Sequence, residues 1–284
     1  MIMTAKSTPY HPPRAHSQAS PLWSRVVAGV VPPVLLGLGL CLVYVWIQSS
    51  LEPYRRFLMP GLGALWEGGF GSAAVRAELL RCALVTAKVA LAGLAISIPV
   101  GMALGVAMFR WRFMERAIFG YLVALQAIPI LAIIPLLQSM LGFGFLPKVL
   151  IVALFTFFAI PTTLLLGLRS VDPGIVDLFR LQRAGWWTTL LKACLPSALP
   201  SLFAGLRISA SMAVIGAIVS ELFFISGDGG LGQMLVNAKI DFQYEAMYAA
   251  LMVSAAMSIA VYLVFAWLER RLFSAWHPSG QDRG

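Results

Sequence analysis

Apolar runs of about twenty residues recur along the chain, uncharged except for Arg207 and Glu221 in the fifth and each long enough to cross a bilayer as one helix. They cover Val26–Ile47, Val89–Phe109, about Tyr121–Leu141, Val149–Leu168, Leu202–Phe224 and Ala246–Leu268. The third and fourth are joined by Gly142–Pro147 (GFGFLP), which reads as a tight turn. The pattern predicts an all-α polytopic membrane protein with six transmembrane helices. It divides the chain into a disordered tail (residues 1–25), a first span with its outer loop (26–79), a core transmembrane domain (80–273) and a second tail (274–284). The outer segment from about Gln48 to Glu78 contains PGLGALWEGGFG and is expected to hold a short interfacial helix.

Composition removes the soluble alternative. Of 284 residues, 60% are hydrophobic and only 12% charged, against about 25% charged in an ordinary soluble domain. The net charge of +9 does not form a nucleic-acid patch, because the basic residues punctuate the apolar runs. Six spans put both termini on one side. Placing them in the cytoplasm leaves fourteen basic residues inside and six outside (Arg55, Arg56, Arg76, Arg81, Lys148 and Lys239), the asymmetry that sets orientation. Lys88 lies within the outer end of the second span. The first run is too long for a signal-peptide core and reads as a retained anchor. Cys41, Cys82 and Cys194 show neither metal nor disulfide spacing and read as small buried hydrophobes.

Several activities are disfavoured. None of the five lysines follows a glycine, so the chain has no phosphate loop for ATP. An ion-driven transporter needs several ionisable groups in its spans; these offer little beyond Glu221, and His11, His16 and His277 lie in the tails. An intramembrane enzyme needs a nucleophile with a base, or metal ligands, and neither pattern occurs. No cofactor is signalled.

The most patterned polar stretch lies between spans four and five, RSVDPGIVDLFRLQRAGWWTTLLKACLPSALPSLFAGLR. Asp172-Pro173 is an N-cap followed by proline at the first helical position. A short helix is expected from there to about Ala184, with Gly185 as its stop. A second helix gathers Trp186, Trp187, Leu190, Leu191 and Cys194 on one face, and Leu195-Pro196 is expected to end it. Two short helices would then meet at a corner beneath the membrane, either as an interfacial amphipathic turn or as a knob for a partner to push.

This stretch resembles the permease subunits of bacterial ABC importers, particularly the nitrate/sulfonate/taurine branch. Trp187, Leu195-Pro196, Ala198-Leu199-Pro200 and Gly205-Leu206-Arg207 stand at that family's spacing, followed by Glu221 and Gly230-Leu231-Gly232. Gln126-Ala127-Ile128-Pro129 and Pro135 are similar too, and the likeness covers roughly Leu80–Phe273. The family's Glu-Ala-Ala start aligns with Asp177-Leu178-Phe179 and its glycine with Arg183, so the docking surface is cut differently here.

The resemblance implies a type I ABC-importer permease fold with a cytoplasmic coupling-helix loop. It implies separate ATPase subunits below the membrane, an external solute-binding protein and a permease homodimer in the bilayer. Nitrate, an alkanesulfonate, taurine or a thiamine-precursor pyrimidine would fit as solute. Leu178, Phe179, Trp186 and Trp187 are candidates for apolar docking, the tryptophans more readily for headgroup anchoring. Arg180, Arg183 and Lys192 are candidates for ion pairs with the ATPase or ordinary inner-side charge. Glu221 is an outer gate or a structural hydrogen-bonding group, with the glycines of Ser226–Gly230 as hinge or plain loop. Lys88 attracts an anion or snorkels to the interface. Pro129 and Pro135 kink the third span beside the pathway or are tolerated by packing, and Pro32-Pro33 has the same two readings.

Overall fold

A computed structural model describes residues 22–224 and 229–273, which are helical with no strand among them. Of the described residues, 22–59 form one compact unit. It holds α1 (Leu22–Ser50) and a 3₁₀ turn, Pro53–Leu58. The expected first span falls on α1, whose described apolar stretch is Val34–Ser50. The tail expected to run to residue 25 is helical from Leu22; the rest of both tails lies outside the described residues.

The second unit begins at Pro60. A helical turn, α2 (Leu62–Ala64), widens into a π turn at Leu65–Gly71, supplying the short helix expected in this segment. Next comes α3 (Ala73–Arg110), capped by Ser72, whose hydroxyl accepts from the Val75 N–H. It starts sixteen residues before the expected Val89. Its first turns carry charge, but Arg81 and Glu78 pair across one turn at 2.6 Å.

The third span is not one straight helix. α4 (Arg112–Ala127) and α5 (Ile130–Leu141) meet at 92°. Pro129 is the cause: it has no N–H to give and drives Ile128 into an extended conformation (ψ 124°). Gly142 (φ 75°) then closes α5 in a conformation that favours glycine. α6 (Phe145–Thr156) and α7 (Ala159–Arg169) make one crossing interrupted at Phe157–Phe158. Ser209 donates to the Thr156 carbonyl at 3.0 Å, and Thr162 to that of Phe158 at 2.8 Å. The interruption therefore leaves no bare polar backbone at these carbonyls.

After α8 (Pro173–Leu181) comes α9 (Trp186–Thr189), a π turn at Leu190–Cys194 and α10 (Leu195–Phe223). These last three form one helix from Trp186 to Phe223, so Leu195-Pro196 ends nothing. The Leu195 N–H bonds the carbonyl five residues back, on Leu190. That wider turn accommodates the proline that follows. The corner is thus one free-standing helix beside the end of a long one. Finally come α11 (Leu231–Ile240), which the apolar pattern did not predict, and α12 (Tyr244–Phe273).

The all-α architecture is as expected; the count of six is not met by six straight crossings. Among the described residues, four segments are long and apolar enough to cross singly, and the bent pair makes five. α10 lies at the centre of the second unit, against α3, α6, α7 and α12. Small residues bring these helices close, as membrane interfaces favour. A Cβ on Gly205 would lie 2.9 Å from the Cβ of Thr163, and one on Gly101 2.9 Å from that of Ile160.

Candidate functional site

Two polar regions stand out, at opposite ends of α10. At the first, Asp172 caps α8 by accepting from the Gly174 N–H at 2.8 Å. The helix ends at Leu181, and Arg183 turns the chain with φ 53°. The Ala184 N–H bonds the Phe179 carbonyl, and the Arg183 N–H that of Arg180, both at 2.9 Å. This is the paired closure that usually places glycine where Arg183 stands. Gly185 is not the stop. It is extended (φ −66°, ψ 157°) and precedes α9 as its N-cap.

Little of α8 touches other elements. Ile175, Leu178 and Leu181 are exposed, Leu181 by 82%. They recur every third residue and share one broad face. Phe179 is half-buried, so of the apolar candidates on this helix Leu178 is the one turned outward. Ile175 and Leu181 were not anticipated. Asp177 and Arg180 are exposed and pair with each other at 3.2 Å.

Trp186 is half-buried and packs on the cluster of Leu168, Leu190 and Cys194. The Arg110 guanidinium sits 5.3 Å from its ring centre, and Trp187 meets it edge-on at 4.6 Å while remaining exposed itself. A pocket of about 610 Å³ lies between this base and α8, lined by Phe109, Val176 and Trp186 among others.

The second region is built on Glu221, which is 1% exposed. Its Oε2 accepts from the Thr86 hydroxyl at 2.8 Å and from the Gly232 N–H at 3.0 Å. The Leu231 N–H donates to the Thr86 hydroxyl at 2.9 Å. The first two N–H groups of α11 are therefore capped by side chains from α3 and α10. The carboxylate also faces the positive end of that helix. Oε1 has no hydrogen-bond partner among the described residues. Gly230 lies so close that a Cβ there would overlap the Glu221 carboxylate, and one on Gly232 would overlap the Ile218 carbonyl. Glu221, Gly230 and Gly232 thus come together as one latch. Of the glycine segment Ser226–Gly230, residues 226–228 lie outside the described residues.

Lys88 is exposed on α3 and shares a pocket of about 260 Å³ with Lys148, Phe143 and Phe145. Lys148 is only 3% exposed and its ammonium lies 5.7 Å from the Phe224 ring centre. Pro129 stands apart from the latch, at the α4–α5 break. Thr86 and Lys148 went unremarked as site residues. Each has a sequence signal: a hydroxyl inside an apolar run, and a lysine at the mouth of one.

Comparison with known proteins is consistent with this geometry. The family described as binding-protein-dependent transport system inner membrane component matches residues 97–274. The riboflavin transport system permease protein RibX of Chloroflexus aurantiacus is 32% identical over 87% of this chain and 92% of its own length. The putative aliphatic sulfonates transport permease protein SsuC of Bacillus subtilis is 30% identical over 55% of each chain. A crystal structure of an amino acid ABC transporter with histidines superposes with a TM-score of 0.56 at 17% identity, over 68% of this chain and 93% of that one.

Proposed function

The chain belongs to the family of inner-membrane components of binding-protein-dependent transport systems and is a permease subunit of an ABC importer rather than an enzyme; from that premise we propose that α8 is the surface on which a separate ATPase docks. The observation that carries the proposal is the outward apolar face of Ile175, Leu178 and Leu181 on a helix that little else touches. Leaving such a face in water is unfavourable by roughly 1.5–3 kcal/mol per large side chain, which a partner's groove recovers. In this reading α8 and both termini face the cytoplasm, and two copies of the chain pair in the bilayer. An external binding protein delivers the solute to the Glu221 end.

The transmission follows from the continuity of the helix from Trp186 to Phe223. ATPase closure moves α8, and the helix that starts beside it carries the displacement across the membrane. At its far end it bears Glu221, which holds the start of α11. The two ends are thus joined by one continuous helix, which alternating access in this reading moves between two positions. Replacing Leu178 and Leu181 together by aspartate should abolish co-purification of the ATPase with the tagged chain while leaving its thermal midpoint unchanged. Retention of the ATPase by that variant would refute the docking assignment.

The solute in this reading is a small anion. Lys148 is buried beside exposed Lys88 in one pocket at the end where the solute enters. Two ammonium groups on one pocket make its mouth electropositive, which favours a negatively charged solute. The sulfonate-permease relative supports the same class. Lys148→Met should lower uptake of an alkanesulfonate into proteoliposomes containing the complete importer at least tenfold. Unchanged uptake would remove the anion reading and favour an uncharged solute such as a flavin.

A further inference from the structure

A third polar cluster takes no part in docking or in the latch. Arg112, Glu115 and Arg116 on α4 and Arg169 at the end of α7 line an open pocket of about 410 Å³. Arg169 and Glu115 pair at 2.5 Å. That neutralises one positive charge and leaves Arg112 and Arg116, both exposed, as a net charge of two on the pocket wall. Arg110 and Trp111 precede the cluster, and Trp111 is 53% exposed. An aromatic and several basic residues at one level mark a membrane–water interface.

The helix changes character one turn further on. Arg112, Arg116, Phe119 and Val123 follow one another at steps of four, three and four residues, so they form a single stripe along α4. Phe119 is 47% and Val123 49% exposed. Within about 16 Å of helix, basic side chains give way to exposed apolar ones. A protein groove would not demand that order. A phospholipid standing against the helix does, with its phosphate at the arginines and its acyl chains along Phe119 and Val123.

We infer that this pocket binds the headgroup of an anionic phospholipid and ties the α4–α7 end of the bundle to the membrane surface. The phosphate takes hydrogen bonds from Arg112 and Arg116, and the guanidinium groups provide the planar donor pairs that match phosphate oxygens. Arg169, held by Glu115, forms the rear wall. The inference is independent of which solute is carried and of whether α8 is the docking surface.

The test is native mass spectrometry of the full-length chain in mild detergent, with phosphatidylglycerol, phosphatidylcholine or inorganic phosphate added. Phosphatidylglycerol should be retained in preference to phosphatidylcholine and should survive an equal concentration of inorganic phosphate. The variant R112Q/R116Q should lower its retention about thirtyfold, at about fivefold for each arginine near the surface. Glu115→Gln releases Arg169 and should raise retention, a direction that loss of structure does not produce. Equal retention of phosphatidylcholine, displacement by inorganic phosphate, or weaker retention in Glu115→Gln would each overturn the proposal. So would an R112Q/R116Q variant that keeps the lipid and loses the co-purifying ATPase, which would make the cluster a protein contact instead.

Discussion

Two short helices hang from the long ones, α8 at one end of α10 and α11 at the other, and they are held in opposite ways. α8 is capped from within its own segment: Asp172 bonds the N–H of Gly174, and Arg183 closes the far end. α11 is capped by other helices, by Glu221 of α10 and by Thr86 of α3, the latter 145 residues before the N–H it receives. The first helix keeps its shape wherever the bundle moves and offers a free apolar face. The second has its N-terminal cap only while α3 and α10 stand in one arrangement. A locally capped helix suits a surface that another protein grips, and a remotely capped one suits a latch that registers helix movement.

The latch should break most severely. Gly232→Val would place a Cβ 2.7 Å from that of Glu221 and against the Ile218 carbonyl. Backbone cannot retreat there, so a destabilisation of about 3 kcal/mol is expected, seen as a fall in the thermal midpoint of the purified protein. Thr86→Val comes next. It keeps the shape but leaves the buried Leu231 N–H without an acceptor and removes a donor to Glu221, at about 2 kcal/mol. Asp172→Ala at α8 should lose only about 1 kcal/mol, because water reaches the bared N–H. If Asp172→Ala proves as damaging as Thr86→Val in the same thermal assay, the contrast between the two helices is wrong.

The same contrast explains what the amino-acid sequence revealed. The spans were legible because bilayer thickness imposes a minimum apolar length, and Asp172-Pro173 because a cap and its helix are neighbours in the chain. Both are local. The latch was not legible as a latch: Glu221, Gly230 and Gly232 were singled out separately, but Thr86 meets them only after α3 and α10 pack. Charge misled at α3, where Arg76, Glu78 and Arg81 suggested a loop and ride instead on the helix. Proline misled in two directions. Pro129 produced a sharper bend than a kink, since nothing widens the turn before it. Pro196 produced no end at all, because the π turn at Leu190–Cys194 absorbs it.

The smallest effect is also the most direct check on how α8 is terminated. The expected stop was Gly185, but of the two it is Arg183 that has a left-handed backbone, at φ 53°. A side chain in that conformation is unfavourable by roughly 1–2 kcal/mol relative to the right-handed form, and glycine avoids this. Glycine also has more freedom to lose on folding, which offsets part of the gain. Arg183→Gly should therefore stabilise the chain by about 0.5–1 kcal/mol, raising its thermal midpoint slightly. Arg183 is exposed, so no packing is lost with its side chain. Gly185→Ala, at an extended position with open space around the added methyl, should change the midpoint little. If the two variants behave the other way round, with Gly185→Ala damaging and Arg183→Gly neutral, the helix ends at Gly185 after all and the face presented by Leu178 and Leu181 turns with it.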